Sequence, residues 1–139
     1  MRWVDTGSSI LPSGKAPWSA NRERNWAPEI HRVGSRFVAY FTAVNANDAL
    51  AIGVASADTP RGPWTVESTP LVDDPTPGVI DATAFEDDDG RLRAQGGDVF
   101  VYHAWTNDGS GRPAPGGRRV LVDAITWKDG WPEIAGPTP

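Results

Sequence analysis

Cysteine is absent from this chain, which excludes a disulfide framework and thiolate chemistry and leaves the redox compartment open. No run approaches the about 20 apolar residues of a membrane span, and Met1-Arg2-Trp3-Val4-Asp5 carries no apolar core of signal-peptide length. The expectation is a soluble chain without an address, cytoplasmic or secreted, and without a membrane partner. Lysine and arginine never gather into a block, and with a net charge of -5 a nucleic-acid partner is not expected. The only 2 histidines, His31 and His103, have no recognisable serine partner, and no hydroxyl sits in a nucleophile elbow. Gly-rich Pro115-Gly116-Gly117 precedes a strand rather than the helix that a phosphate loop requires. A sustained 3.6-residue apolar period is missing too, so helices are not the main architecture.

What remains is a chain of 139 residues, enough for one domain, in which 15 Gly and 13 Pro punctuate short apolar runs. Strands are predicted over 29–33, 36–43, 50–57, 64–68, 79–86, 98–105 and 118–127. Gly34-Ser35, Pro60-Arg61-Gly62-Pro63, Asp88-Asp89-Gly90 and Asp129-Gly130 favour the backbone angles of tight turns. The long stretches 7–25 and 106–117 are rich in Gly, Ser, Pro and polar residues and read as surface loops. The fold class is therefore all-β. The first 4 strands follow at hairpin spacing, as one antiparallel propeller blade requires. Strands 79–86, 98–105 and 118–127 supply three more of a second blade, which 2–5 could close as an outer strand.

Within Val79-Ile80-Asp81-Ala82-Thr83-Ala84-Phe85 one carboxylate interrupts an apolar strand. Strict alternation would put Asp81 on one face with Thr83 and Phe85, as in a pocket wall. The competing reading is a strand-end Asp that accepts backbone N–H bonds. Glu86 points to the opposite face on an ideal strand, and Asp87, Asp88 and Asp89 read as a solvated turn without a calcium-loop pattern. The aromatic set is skewed, with 7 Trp against 2 Tyr and 4 Phe. Flat indole faces hold the apolar faces of sugars, which makes carbohydrate the leading ligand class; core filling is the alternative for any single Trp. Trp26 is the foremost stacking candidate, because Pro28 fixes the backbone beside it.

Three stretches together resemble a known family: Asn25-Trp26-Ala27-Pro28-Glu29-Ile30, Arg36-Phe37-Val38-Ala39-Tyr40-Phe41-Thr42-Ala43, and Ile52-Gly53-Val54-Ala55-Ser56-Ala57-Asp58-Thr59-Pro60-Arg61-Gly62-Pro63-Trp64. Residues 79–90, Tyr102-His103-Ala104-Trp105 and 118–132 continue the likeness in the same order. The chain is similar to the family 43 glycoside hydrolases. That resemblance implies a five-bladed β-propeller acting on arabinans, arabinoxylans and xylo-oligosaccharides with inversion. It implies about two antiparallel blades here, within a single partial propeller domain over 1–139: 26–72 as the first blade and 79–134 as a second, hybrid blade. Exposed blade faces would be completed by self-association, so a homo-oligomer is expected.

Inverting hydrolysis needs an acid and a base roughly 6.5–9.5 Å apart. By resemblance the base would lie upstream of Arg2, and the segment carrying the acid is missing between Ala94 and Gly96. Asp81 matches a third carboxylate, which orients the acid and raises its pKa through like charge. Glu29 stands where the family usually has Asp and more readily braces the pocket than moves protons. Trp26, Phe85, Trp105 and Arg119 are the expected sugar contacts, with Arg118 as a further candidate. No cofactor is required; His103 is a candidate contact for a structural Ca2+ on the propeller axis. The alternative function is a non-hydrolytic carbohydrate-binding module or an inactive propeller fragment.

Overall fold

The structure, a computed structural model, describes residues 5, 7–74, 78–84, 99–107 and 113–136. Among these residues there are eight strands and no helix. They are β1 (Glu29–Val33), β2 (Arg36–Val44), β3 (Leu50–Ala57), β4 (Thr65–Val66), β5 (Val79–Ala84), β6 (Val99–Asn107), β7 (Pro113–Lys128) and β8 (Trp131–Ile134). Two four-stranded antiparallel meanders result, β1-β2-β3-β4 and β5-β6-β7-β8, each with the strand order of a propeller blade.

Local chemistry sets the hairpins. Val33 pairs with Arg36 across Gly34-Ser35, and Gly34 supplies a φ of 60°. Lys128 pairs with Trp131 across Asp129-Gly130, with φ of 51° and 82°, the double positive φ of a type I′ turn. Between β2 and β3 the buried Asn45 replaces ladder bonds with its side chain, whose Oδ1 accepts the N–H of Asn47 at 2.9 Å and of Ala49 at 3.0 Å. The expected turn at Asp88-Asp89-Gly90 lies outside the described residues.

Alternation along the strands then sorts two cores. Val38, Tyr40, Ile52 and Val54 point from the first sheet toward Val79, Ala82, Phe100, Tyr102, Ala104 and Ile125 of the second. At the centre Tyr40 meets Phe100 edge-on with ring centroids 4.9 Å apart. Phe41, Ala39, Ala43, Ala55 and Ala57 point the other way, against Ile10, Leu11, Ala16, Trp18 and Trp64. Trp18 and Phe41 stack at 6.1 Å there, and only a glycine fits between them: a Cβ on Gly53 would stand 2.4 Å from the Phe41 ring.

Three expectations are corrected. The 7–25 stretch is not a free surface loop, since it lays Ala16 and Ser19, both buried, over the first sheet. The 106–117 loop is shorter than read, because β6 runs to Asn107 and β7 begins at Pro113. The outer place in the second blade is taken by β8 rather than by 2–5, of which residues 2–4 lie outside the described residues. Inside this blade the Tyr102 hydroxyl bonds the buried Asp123 carboxylate. Burial first, then the bond to Asp123 and the charges of Asp123 and Asp74, push the phenol far above its ordinary pKa and keep it a neutral donor.

Candidate functional site

Asp81 sits where β5 departs from regular pairing. Ile80 opposes His103 and Thr83 opposes Val101, so Asp81 and Ala82 share the single partner Tyr102. This is a β-bulge, a device that re-aims a side chain near functional sites. Asp81 adopts a φ of 55°, a region uncommon outside glycine though more accessible to Asp than to most residues. The strict alternation expected from the sequence is thus broken: Ala82 turns into the core while the Asp81 side chain remains 54% exposed. The backbone N–H freed by the bulge finds Thr42 Oγ1 of β2 at 3.3 Å. A hydroxyl from the first sheet therefore anchors the Asp81 backbone of the second.

Around Asp81 the second sheet places two cationic or ionisable groups. His103 Nδ1 lies 3.5 Å and Arg118 Nη1 4.0 Å from Asp81 Oδ2. Arg118 in turn covers the Trp105 ring at 5.5 Å, so Trp105 positions the guanidinium. The pairing register explains the choice between the two arginines. Both are exposed, but Arg118 stands opposite Trp105 whereas Arg119 stands opposite Ala104.

A cleft of about 270 Å³ opens in front of the bulge, lined by Ala27, Pro28, Glu29, Thr42, Asp81 and Ala82 among others. It adjoins a second hollow of about 480 Å³, walled by Ser9, Ile10, Asn25 and Trp26, with Ala27, Pro28 and Phe41 common to both. Trp26 is 42% exposed, so its indole belongs to the surface of this trough rather than to a core. The expected contact Phe85 lies outside the described residues. A larger concavity of about 630 Å³ lies elsewhere, between the outer strands, with Glu67, Leu71, Trp131 and Glu133 in its wall. Trp64 and Trp18 serve packing, the reading held open for individual tryptophans.

No three metal-ligating side chains converge among the described residues. Ca2+ takes six to eight oxygen ligands, waters among them; of the described residues, His103 stands beside one carboxylate, Asp81, which Arg118 also approaches. Among the described residues no helix is long and apolar enough to cross a membrane.

Residues 1–92 match the profile of Glycosyl hydrolases family 43. The chain belongs to this family. Curated relatives agree: a Xylosidase/arabinosidase 43A from Humicola insolens is 30% identical over 123 residues, covering 81% of this chain and 36% of the relative. An Arabinoxylan arabinofuranohydrolase from Bacillus subtilis is 39% identical over 118 residues, covering 70% of this chain and 22% of the relative. Among solved structures, a thermostable family-43 glycoside hydrolase superposes with a TM-score of 0.62 at 26% identity, covering 82% of this chain and 36% of that one. An endo-arabinase from Bacteroides thetaiotaomicron gives 0.60 at 25% identity, covering 85% and 39%. The fold is thus that of family 43 propeller blades, and the chain spans well under half the length of each of these proteins.

Of the residues expected from the sequence, Glu29, Asp81 and Trp26 line the trough, and His103 and Trp105 stand on or beside the Asp81 cluster. Sequence reasoning missed Thr42, Thr83 and His31. Thr42 bonds Asp81 across 39 positions of sequence and Thr83 bonds Glu29 across 54, so no local pattern signals either.

Proposed function

We propose that this chain contributes a carbohydrate site for arabinose- or xylose-containing polysaccharides and oligosaccharides, within an inverting family 43 glycoside hydrolase. The observation that carries this reading is Asp81, held at positive φ in a bulge at the mouth of a cleft that adjoins an exposed Trp26. A backbone held in a sparsely populated region is the kind of strain that clusters at working sites. Asp81 acts as the orienting carboxylate: its charge disfavours ionisation of a neighbouring acid and so keeps a proton available for the leaving oxygen. Arg118 and His103 hold Asp81, and Trp26 offers a flat apolar face to a sugar ring. The acid and the base are assigned to no residue here, since the chain spans 36% of its Humicola relative.

A non-hydrolytic carbohydrate-binding module is the second reading, favoured by the exposed indole of Trp26. Release of p-nitrophenol from aryl arabinofuranosides and xylosides by the parent, run beside Asp81→Asn, separates the two. Hydrolysis that falls about a hundredfold or more in the variant is the enzyme outcome; saturable quenching of Trp fluorescence by the oligosaccharides without hydrolysis is the binder outcome. Turnover indifferent to Asp81→Asn sinks the assignment of Asp81. A second copy of the chain is the expected partner for the outer face of the second sheet, where Val120 and Val122 are exposed.

A further inference from the structure

Glu29 opens β1 on the seam between the sheets. It pairs with Tyr40 in the register that sets His31 opposite Val38, and Tyr40 and Val38 both belong to the core between the two sheets. Across that seam Thr83 of β5 donates its hydroxyl to Glu29 Oε1 at 2.7 Å. His31 Nε2 stands 3.1 Å from the same oxygen. The Thr83 hydrogen bond holds this one carboxylate oxygen, with the imidazole packed beside it, while 48% of the side chain stays exposed. At Asp81 the neighbours stand further off, His103 Nδ1 at 3.5 Å and Arg118 Nη1 at 4.0 Å from Oδ2.

Glu29 and Asp81 thus line one cleft, together with Thr42. An ionised carboxylate only accepts hydrogen bonds, through about four lone-pair sites, and the supports described here use one oxygen of each group. A sugar ring offers the matching chemistry, hydroxyl donors on neighbouring carbons. We propose that Glu29 is a substrate-binding residue that accepts a sugar hydroxyl through Oε2 beside Asp81, with Thr83 as its positioning residue. The inference rests on the carbohydrate reading above and adds to it a specificity-determining contact. An acceptor that is charged and held in place discriminates strongly against a sugar lacking the matching hydroxyl.

Calorimetric titration of the full chain with xylotriose and with arabinotriose tests this, using the parent, Glu29→Gln and Thr83→Val. Gln keeps a carbonyl that can accept the Thr83 hydroxyl, so the brace across the seam is retained while the charged acceptor is lost. Glu29→Gln is expected to melt with the parent yet bind at least about tenfold more weakly. Thr83→Val keeps the charge but releases the carboxylate, and is expected to weaken binding by a smaller factor. Glu29→Gln that binds like the parent overturns the role of Glu29 and leaves the Asp81 reading intact; a folded parent that binds neither sugar overturns both. If Glu29→Gln does not fold, Glu29→Asp replaces it: the shortened carboxylate should bind more weakly, and undiminished affinity overturns the proposal.

Discussion

The two sheets share one topology and differ in what covers them. The first is packed on both sides, against the second sheet through Tyr40 and Val54 and against the 10–18 stretch through Phe41 and Ala39. The second is packed through Phe100, Tyr102 and Ile125 on one side, while its other side carries Val122 and Val120 at 54% and 60% exposure. Strand propensity and hairpin chemistry make a blade, but a blade needs a neighbour on each face to bury what alternation puts there. The candidate site uses this difference. Its two carboxylates lie at the seam, Glu29 from the doubly packed sheet and Asp81 from the other; Thr83 bonds the Glu29 carboxylate across it, and Thr42 accepts the Asp81 backbone N–H.

The largest effect is expected at the shared core. Phe100→Ala removes the ring that Tyr40 meets edge-on and should cost about 3–5 kcal/mol in urea unfolding, with the tryptophans of both sheets reporting one transition. A loss confined to the second sheet would break the picture of one common core. Next comes Gly53→Ala, whose added methyl would stand 2.4 Å from Phe41 and 2.6 Å from Trp18. Overpacking there should cost about 1–3 kcal/mol, visible in thermal melts, and an unchanged melting point would mean that the 10–18 cover is loosely held. The smallest effect belongs to Val120→Thr combined with Val122→Thr, which should change stability by within about 0.5 kcal/mol per site. Sedimentation adds a sharper readout, since an oligomer built on this face should return to monomer in that variant.

Much of the architecture was legible because it rests on local chemistry. Gly34-Ser35 and Asp129-Gly130 turn as their residue types require, and the alternation of β2 and β3 follows from apolar residues two apart. β8 was harder to read, since Pro132 cannot donate to a ladder and so argues against a strand; it is tolerated because β8 is at the edge of its sheet. The bulge at Asp81 could not be read at all. It exists only through the pairing of β5 with β6, and a one-residue slip there decides which way every later side chain points. For the same reason the carboxylates and the tryptophan of the candidate site stand out in the sequence, while the residues that contact them across the seam do not. Thr42 and Thr83 look like ordinary strand residues until the sheets are packed, whereas His31, two positions from Glu29 on β1, could be placed on its face by alternation alone.

The proposed sugar position is the seam, not the larger hollow between the outer strands. Titrating xylotriose or arabinotriose into the isotope-labelled chain and following indole and amide N–H resonances tests this most directly. Saturable shifts at the Trp26 indole and at the amides of Thr83 and His103, with Trp131 and Leu71 unmoved, are predicted. Shifts centred on Trp131 and Leu71, or none anywhere at millimolar sugar, would contradict it.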